Sequence, residues 1–352
     1  MKKLGCLALC LVLLAGCGAQ DDQSRQLNEN ESQTITIYAM DTVMDLTAYG
    51  PNAPKALEAA EAEVGRLNVL LSAQQPTSAI WAINTGAGEP VAVDGEMGAL
   101  LGRTLEFCRD TDRALDITIY PAVEAWGFPT GEHRVPDEEE LAQLREIVNA
   151  EAVELSPPES PETVTLAPGM RLDLGAVGKG YAADRIVAIF KDMGVTSALL
   201  DLGGNIHCMG TKPDGSDWAI GIRDPEDENS TICAVTGHDI ALVTSGAYQR
   251  NFTRDGVTYH HILDPKTCAP ADSGAASVTI IGPSGFVCDA LSTALYVMGP
   301  EKAAEYWRQH HDFDMVYYTQ EGELFYTSGL EGRLILSGGL EGQMLTWEST
   351  GL

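Results

Sequence analysis

Three stretches of the 352-residue chain concentrate side chains able to do chemistry. The first, from Tyr259 to Ala271, reads YHHILDPKTCAPA and crowds His260, His261, Asp264 and Cys268 together. His, Asp and Cys all ligate metals, but the paired spacings of tetrahedral sites, such as C-x2-C or H-x3-H, are missing from it. A polar loop accounts for the same residues: Asp264 can bond its own backbone and Pro265 fixes φ. The second stretch, DLGAVGKGYAADRI at 173–186, sets Gly175, Gly178 and Gly180 ahead of a helical run. Backbone can then pass close to a ligand, with free N–H groups and the positive end of the helix dipole facing it. Lys179 adds a mobile charge suited to a pyrophosphate. The segment matches neither the Walker A pattern nor a dinucleotide fingerprint, and a tight strand-to-helix turn would need the same glycines. In the third stretch, CDALSTALYVMG at 288–299, a helix would place Asp289 and Thr293 one turn apart on one face. A carboxylate and a hydroxyl so placed can meet one hard cation such as Mg²⁺. A capping Asp with a structural Thr is the other account.

These stretches need elements to hold them. ITIYAMDTVMDLTAY (35–49) alternates as a strand, a turn near Asp41 and a second strand, and PKALEAAEAEVGRLNVLL (54–71) has helical apolar spacing behind a proline. MGALLGRTLEFCRDT reads as a helix, and RALDITIYPAVEAWGF as a strand entering a proline-terminated loop. Residues 131–162 hold an acidic helix and the proline-rich SPPESP, a peripheral segment whose charges make a solvated face. Beyond Arg171 a helix, four strands (SALLDLGGNIHCMG, WAIGIRDP, IALVTSGAYQRNF, SVTIIG) and a last helix follow. This irregular alternation predicts an α+β fold of mixed sheets with flanking helices rather than a doubly wound sheet.

The amino end reads as a leader. Lys2 and Lys3 precede the apolar LGCLALCLVLLAG, too short for a comfortable membrane span, and Leu14-Ala15-Gly16-Cys17 matches the lipobox of bacterial lipoproteins. Residues 1–16 are therefore expected to be removed and Cys17 lipidated, anchoring the protein to the outer face of the cytoplasmic membrane. Residues 17–33 form a polar tether and 34–345 the working domain. Lys and Arg number 22 against 51 Asp and Glu, a net charge of −29, and no basic run follows the leader, so nucleic acid is excluded as a partner. A phosphate-bearing substrate would need a divalent cation to supply positive charge. The five cysteines after Cys17 show no framework spacing, so few or no disulfides are expected.

Together with MDTVMD and SAQQPTSAIWAIN, the stretches quoted above stand in the order and spacing of the ApbE family, the bacterial FAD:protein FMN transferases, which the chain resembles over residues 35–340. The resemblance implies two lobes with FAD in the cleft between them and a Mg²⁺ bridging protein and pyrophosphate. It assigns the metal to Asp289 and Thr293, with backbone oxygens of Ala176 and Ser292. It assigns the flavin nucleotide to Met40, Ala114, Leu115, Asp116, Asp173, Lys179 and Leu263. It further implies transfer of FMN from FAD to a Ser or Thr hydroxyl of an exported flavoprotein, such as subunits of NQR or RNF complexes, with release of AMP. His261 matches the family histidine that assists removal of the hydroxyl proton, whereas His260 falls at a variable position; Asp264 would orient His261 or act as the base itself.

Three departures stand out. Met40-Asp41-Thr42 replaces Met-Gly-Thr and adds a carboxylate, Gln74 stands where many members place an aromatic on the flavin, and Cys268 replaces a glycine. The last implies a turn without positive φ there, or strain. Weaker stacking at Gln74 leaves hydrolysis of FAD to FMN and AMP as the rival reaction, and a non-catalytic flavin-binding lipoprotein as the rival class.

Overall fold

The computed structural model describes residues 27–346 apart from positions 87 and 228. The leader (1–16), the lipidation at Cys17 and most of the tether lie outside the described residues. The tether's end does not, because a strand already starts at Ser32.

Nine strands make one sheet in strict chain order: β1 (Ser32–Ala39), β2 (Thr42–Tyr49), β3 (Ala198–Asp201), β4 (Asn205–Met209), β5 (Ile240–Gly246), β6 (Ala275–Gly282), β7 (Asp314–Thr319), β8 (Leu324–Thr327) and β9 (Gly342–Leu345). Neighbours run antiparallel up to β8, and β9 joins parallel. Alternate side chains of β5 and β6 divide between the faces. Ala241, Val243, Val278 and Ile280 pack on helices α5 (Gly285–Met298) and α6 (Pro300–His310). Leu242 and Ile281 pack on a three-stranded sheet of Trp218–Arg223, Thr231–Gly237 and Leu334–Leu336. Cover on both faces explains why β6 is apolar almost throughout.

The β1–β2 hairpin turns through Met40 and Asp41, both at positive φ (49° and 58°) as a tight two-residue connection requires. Behind it, α1 (Ala53–Leu70) and α4 (Gly178–Asp192) bury their apolar stripes against Met44, Leu46, Ala198 and Leu200. A second cluster forms the other lobe, around α2 (Gly95–Asp110) and a small sheet of Val91–Ala92, Glu154–Ser156 and Thr163–Thr165. Phe286 and Ala290 of α5 belong to this cluster as well, so one helix spans both lobes. The acidic segment holds α3 (Glu138–Ile147), capped by Asp137, with three glutamates in its first turn and only Leu144 buried. The architecture is mixed α+β, as the sequence predicts, and the five described cysteines are free and buried.

Local readings differ from the structure in three places. Residues 113–118 form turns and bends rather than a strand, Ile119 makes only a single parallel bridge to Arg171, and a short helix, Tyr120–Ala125, follows with a proline in its first turn. The cause is Asp116, whose carboxylate takes the Thr118 N–H (2.9 Å) and hydroxyl (2.5 Å), the Ala150 N–H (3.0 Å) and the Arg113 guanidinium (2.9 Å). Side-chain bonds of this kind replace a strand ladder. SALLDLGGNIHCMG is two strands, because Gly203 and Gly204 reverse the chain at φ of 70° and 89°. Cys268 does adopt positive φ (57°), so strain rather than a different turn accompanies the missing glycine.

Candidate functional site

A cleft of about 1040 Å³ opens between the lobes, at the upper end of the roughly 300–1,000 Å³ usual for small-molecule sites. Met40, Ala114, Leu115, Asp116, Asp173, Ala176, Lys179, His261, Leu263, Asp289 and Thr293 all line it.

One corner of it is built where α4 and α5 cross. Gly180 is required there: a Cβ on it would fall 2.1 Å from the Gly285 carbonyl oxygen and 2.7 Å from the Asp289 Cβ. The crossing is fastened from the α4 side by Asp184, whose carboxylate accepts the Ser284 hydroxyl (2.7 Å) and the N–H groups of Gly285 (2.6 Å) and Phe286 (3.1 Å), capping α5. The Gly180 N–H, one of the donors a helix start leaves unpaired, donates to Asp289 Oδ2 at 2.8 Å. Asp289 is 4% exposed. Burial raises its pKa, and the Lys179 charge and the Gly180 N–H oppose that rise. Asp173, on the same wall, is raised by burial too, opposed by the Gly175 N–H, Arg250 and Lys179. Thr293 approaches the Ser245 hydroxyl (3.4 Å), which bonds Ser292 (2.9 Å).

The donor set fits Mg²⁺. It offers one buried carboxylate and a hydroxyl one helical turn on, both lining the cleft, where phosphate oxygens and water could complete the coordination. Among the described residues, no group of three or more His, Cys, Asp or Glu side chains could hold a metal. Ser292, which the resemblance assigns to the metal through its backbone oxygen, is not among the residues lining the cleft, and its buried hydroxyl donates to the Asp289 carbonyl at 2.9 Å.

The two histidines face different ways. His260 is buried against Tyr296 and bonds the Ala271 carbonyl through Nε2 (3.2 Å). His261 lines the cleft with Nδ1 3.1 Å from the Arg250 carbonyl oxygen. A carbonyl only accepts, so Nδ1 carries the proton and Nε2 keeps its lone pair. Burial, with the Arg250 and Lys179 charges, lowers the His261 pKa to about 4. The imidazole is therefore neutral at neutral pH and competent to accept a proton.

Asp264 is not brought to His261. Its carboxylate accepts the Lys266 N–H (2.8 Å) and its carbonyl the Cys268 N–H (2.7 Å), so it builds the turn, and it lines a smaller hollow with Asp112 and Lys266. Arg250 does what that reading gave to Asp264: its carbonyl fixes the imidazole and its charge tunes it. The stretch VTSGAYQRNF contains Arg250, but a role played by a backbone oxygen leaves no mark in residue type. Asp116 reaches the cleft wall with its carboxylate fully engaged in holding the 111–118 loop.

The cleft thus brings together a lysine, a buried carboxylate with a hydroxyl one helical turn on, and a neutral imidazole. Comparison with known proteins sharpens this. The profile of the ApbE family matches residues 40–317. An FAD:protein FMN transferase of Treponema pallidum is 34% identical, with 88% of this chain and 90% of that protein aligned. One from Escherichia coli K12 is 28% identical over 91% and 93%. The crystal structure of the ApbE protein of Thermotoga maritima superposes with a TM-score of 0.81 at 29% identity, covering 86% of this chain and 99% of that one. The apo form of Pseudomonas stutzeri flavinyl transferase ApbE gives 0.76 at 28%, covering 88% and 98%. The chain belongs to the ApbE family.

Proposed function

We propose that the protein is a Mg²⁺-dependent FAD:protein FMN transferase that attaches FMN to a Ser or Thr hydroxyl of an extracytoplasmic flavoprotein and releases AMP. The observation that carries this reading is the meeting, in one cleft, of the neutral His261 with Lys179 and the Asp289–Thr293 pair, set by segments far apart in sequence.

The acceptor hydroxyl attacks the FMN phosphorus in line. One P–O bond forms to the acceptor oxygen, the P–O bond to AMP breaks, and the hydroxyl proton passes to His261 Nε2. Lys179 offsets charge on the pyrophosphate. Met40, Leu115 and Leu263 offer apolar surface to the flavin nucleotide. Asp289 and Thr293, with the backbone of Ala176, would hold the cation; a Mg²⁺ bound there neutralises pyrophosphate charge and stabilises the departing AMP.

Acceptors of the NQR or RNF type and a lipid anchor at Cys17 on the outer face of the membrane complete the reading. No helix among the described residues is long and apolar enough to cross a membrane. Mass spectrometry of a candidate acceptor coexpressed with the protein should find FMN on its threonine. His261→Ala should abolish that addition and keep FAD binding, and Asp289→Ala should abolish both. An acceptor that stays unmodified beside an FAD-binding wild type would overturn the transfer reading.

Gln74 favours one second reaction. It lines the cleft, with its amide 3.5 Å from the Pro129 carbonyl, and presents no aromatic face to a flavin. A loosely held flavin gives water access to the phosphorus, and FAD hydrolysis to FMN and AMP then competes. AMP release that ignores added acceptor would identify it.

A further inference from the structure

The stretch LLDLGGNIHCMG contributes a residue that the reaction described above does not use. Asn205 heads β4 directly after Gly203 and Gly204, and Gly203 lies so close to Thr42 that a Cβ would meet its hydroxyl at 2.1 Å. The turn is closed by Leu202 N–H to the Asn205 carbonyl (2.9 Å) and Gly204 N–H to Asp201 Oδ1 (2.8 Å), so the Asn205 backbone is fully determined. Asn205 pairs with Val243 of β5 and so shares the sheet face that packs on α5. It is 1% exposed, lines the cleft, and neither its Nδ2 nor its Oδ1 has a hydrogen-bond partner of normal geometry. Nearly all buried polar side chains are paired, so an amide held this rigidly, approaching Asp289 without a well-formed hydrogen bond and with both polar ends lacking one, is suited to a bound ligand. Its neighbour is Asp289, whose Oδ2 is already committed to Gly180.

We propose that Asn205 is a positioning residue of the phosphate corner: when cation and pyrophosphate enter, its amide N–H holds the Asp289 carboxylate and its Oδ1 takes a hydrogen from water on the ion. The inference rests on the reading of the cleft as a Mg²⁺–FAD site.

Two measurements on Asn205→Ala separate this role from a structural one. Flavin fluorescence titrated with MgCl₂ should show the Mg²⁺ needed for half-maximal FAD binding rising by about tenfold or more, the usual consequence of losing a partner of a metal ligand. FAD binding in EDTA should not change. The melting temperature of the ligand-free variant should equal or exceed that of wild type, because an unpaired buried amide is gone. An unchanged Mg²⁺ dependence overturns the proposal. A lowered melting temperature with FAD binding weakened equally in MgCl₂ and EDTA also overturns it, assigning Asn205 to the fold. If the variant does not fold, a crystal of wild type with Mg²⁺ and FAD decides: an amide bonded to Asp289 and ordered water supports the role, and an amide still unpartnered overturns it. Wild type that binds no FAD at any Mg²⁺ concentration removes the underlying reading instead.

Discussion

The main-chain N–H of Gly180 lies 2.8 Å from Oδ2 of Asp289, joining two helix starts 109 positions apart in the chain. This bond ties the glycine-rich turn to the carboxylate proposed to hold the cation, and it exists only because position 180 lacks a side chain.

Replacing Gly180 by Ala should therefore separate α4 from α5. The new Cβ would meet the Gly285 backbone at 2.1 Å, and backbone cannot step aside as a flexible side chain can. The expected loss is roughly 3 kcal/mol or more, at or beyond the usual range for overpacking. The melting temperature should fall, and Mg²⁺-dependent FAD binding should be lost even below it.

Asp116→Ala should also destabilise, by roughly 3 kcal/mol, since it unpairs Arg113 and strands the N–H groups of Thr118 and Ala150. Arg113 is a quarter exposed, which keeps the cost at the low end for a broken ion pair. Urea unfolding measures it. FAD affinity should fall as well, because Ala114 and Leu115 lose their fixed backbone.

The His261 imidazole predicts two pH dependences. Its folded pKa lies near 4, below an ordinary 6.5, so the folded chain binds fewer protons than the unfolded chain between those values. Stability from this group is complete above pH 6.5 and is lost progressively as pH falls towards 4. The drop in urea midpoint from pH 7 to pH 5 should be smaller in His261→Ala than in wild type. The kcat/KM for transfer, which reports the free enzyme, should hold through pH 6 and decline only towards pH 4.

Gln74→Tyr should tighten FAD. An aromatic ring restored to the cleft adds about 0.5–1.5 kcal/mol of stacking, roughly three- to tenfold in Kd. Fluorescence titration tests the affinity. If flavin mobility admits water, acceptor-independent AMP release should drop in the same variant.

The helices and the hairpin at 35–49 were legible because their apolar periodicity and turn residues are local. The convergence of Lys179, His261, Asp289 and Thr293 was legible through family resemblance rather than through spacing, since each signal alone had an ordinary structural account. What escaped depended on contacts without a residue-type signature. Arg250 acts on His261 through its carbonyl, Asp116 redirects a segment that alternates like a strand, and Asn205 stands out only because its buried amide makes no well-formed hydrogen bond. Asp264 and His261 are three residues apart, and the structure shows the Asp264 carboxylate bonded to the Lys266 N–H while His261 bonds the Arg250 carbonyl.

The nine-stranded sheet runs in chain order, yet its cleft collects residues from Met40 to Thr293. The cleft draws Met40 from the β1–β2 hairpin, Lys179 from α4, and His261 and Asp289 from the last third of that span, so a chain lacking either end lacks part of its wall. An incompletely synthesised or clipped chain should consequently have no flavin affinity to compete with the intact protein. FAD with Mg²⁺ should act as a ligand of the native state alone, raising its stability by the full mass-action amount and reporting, through bound flavin, only molecules that have finished folding.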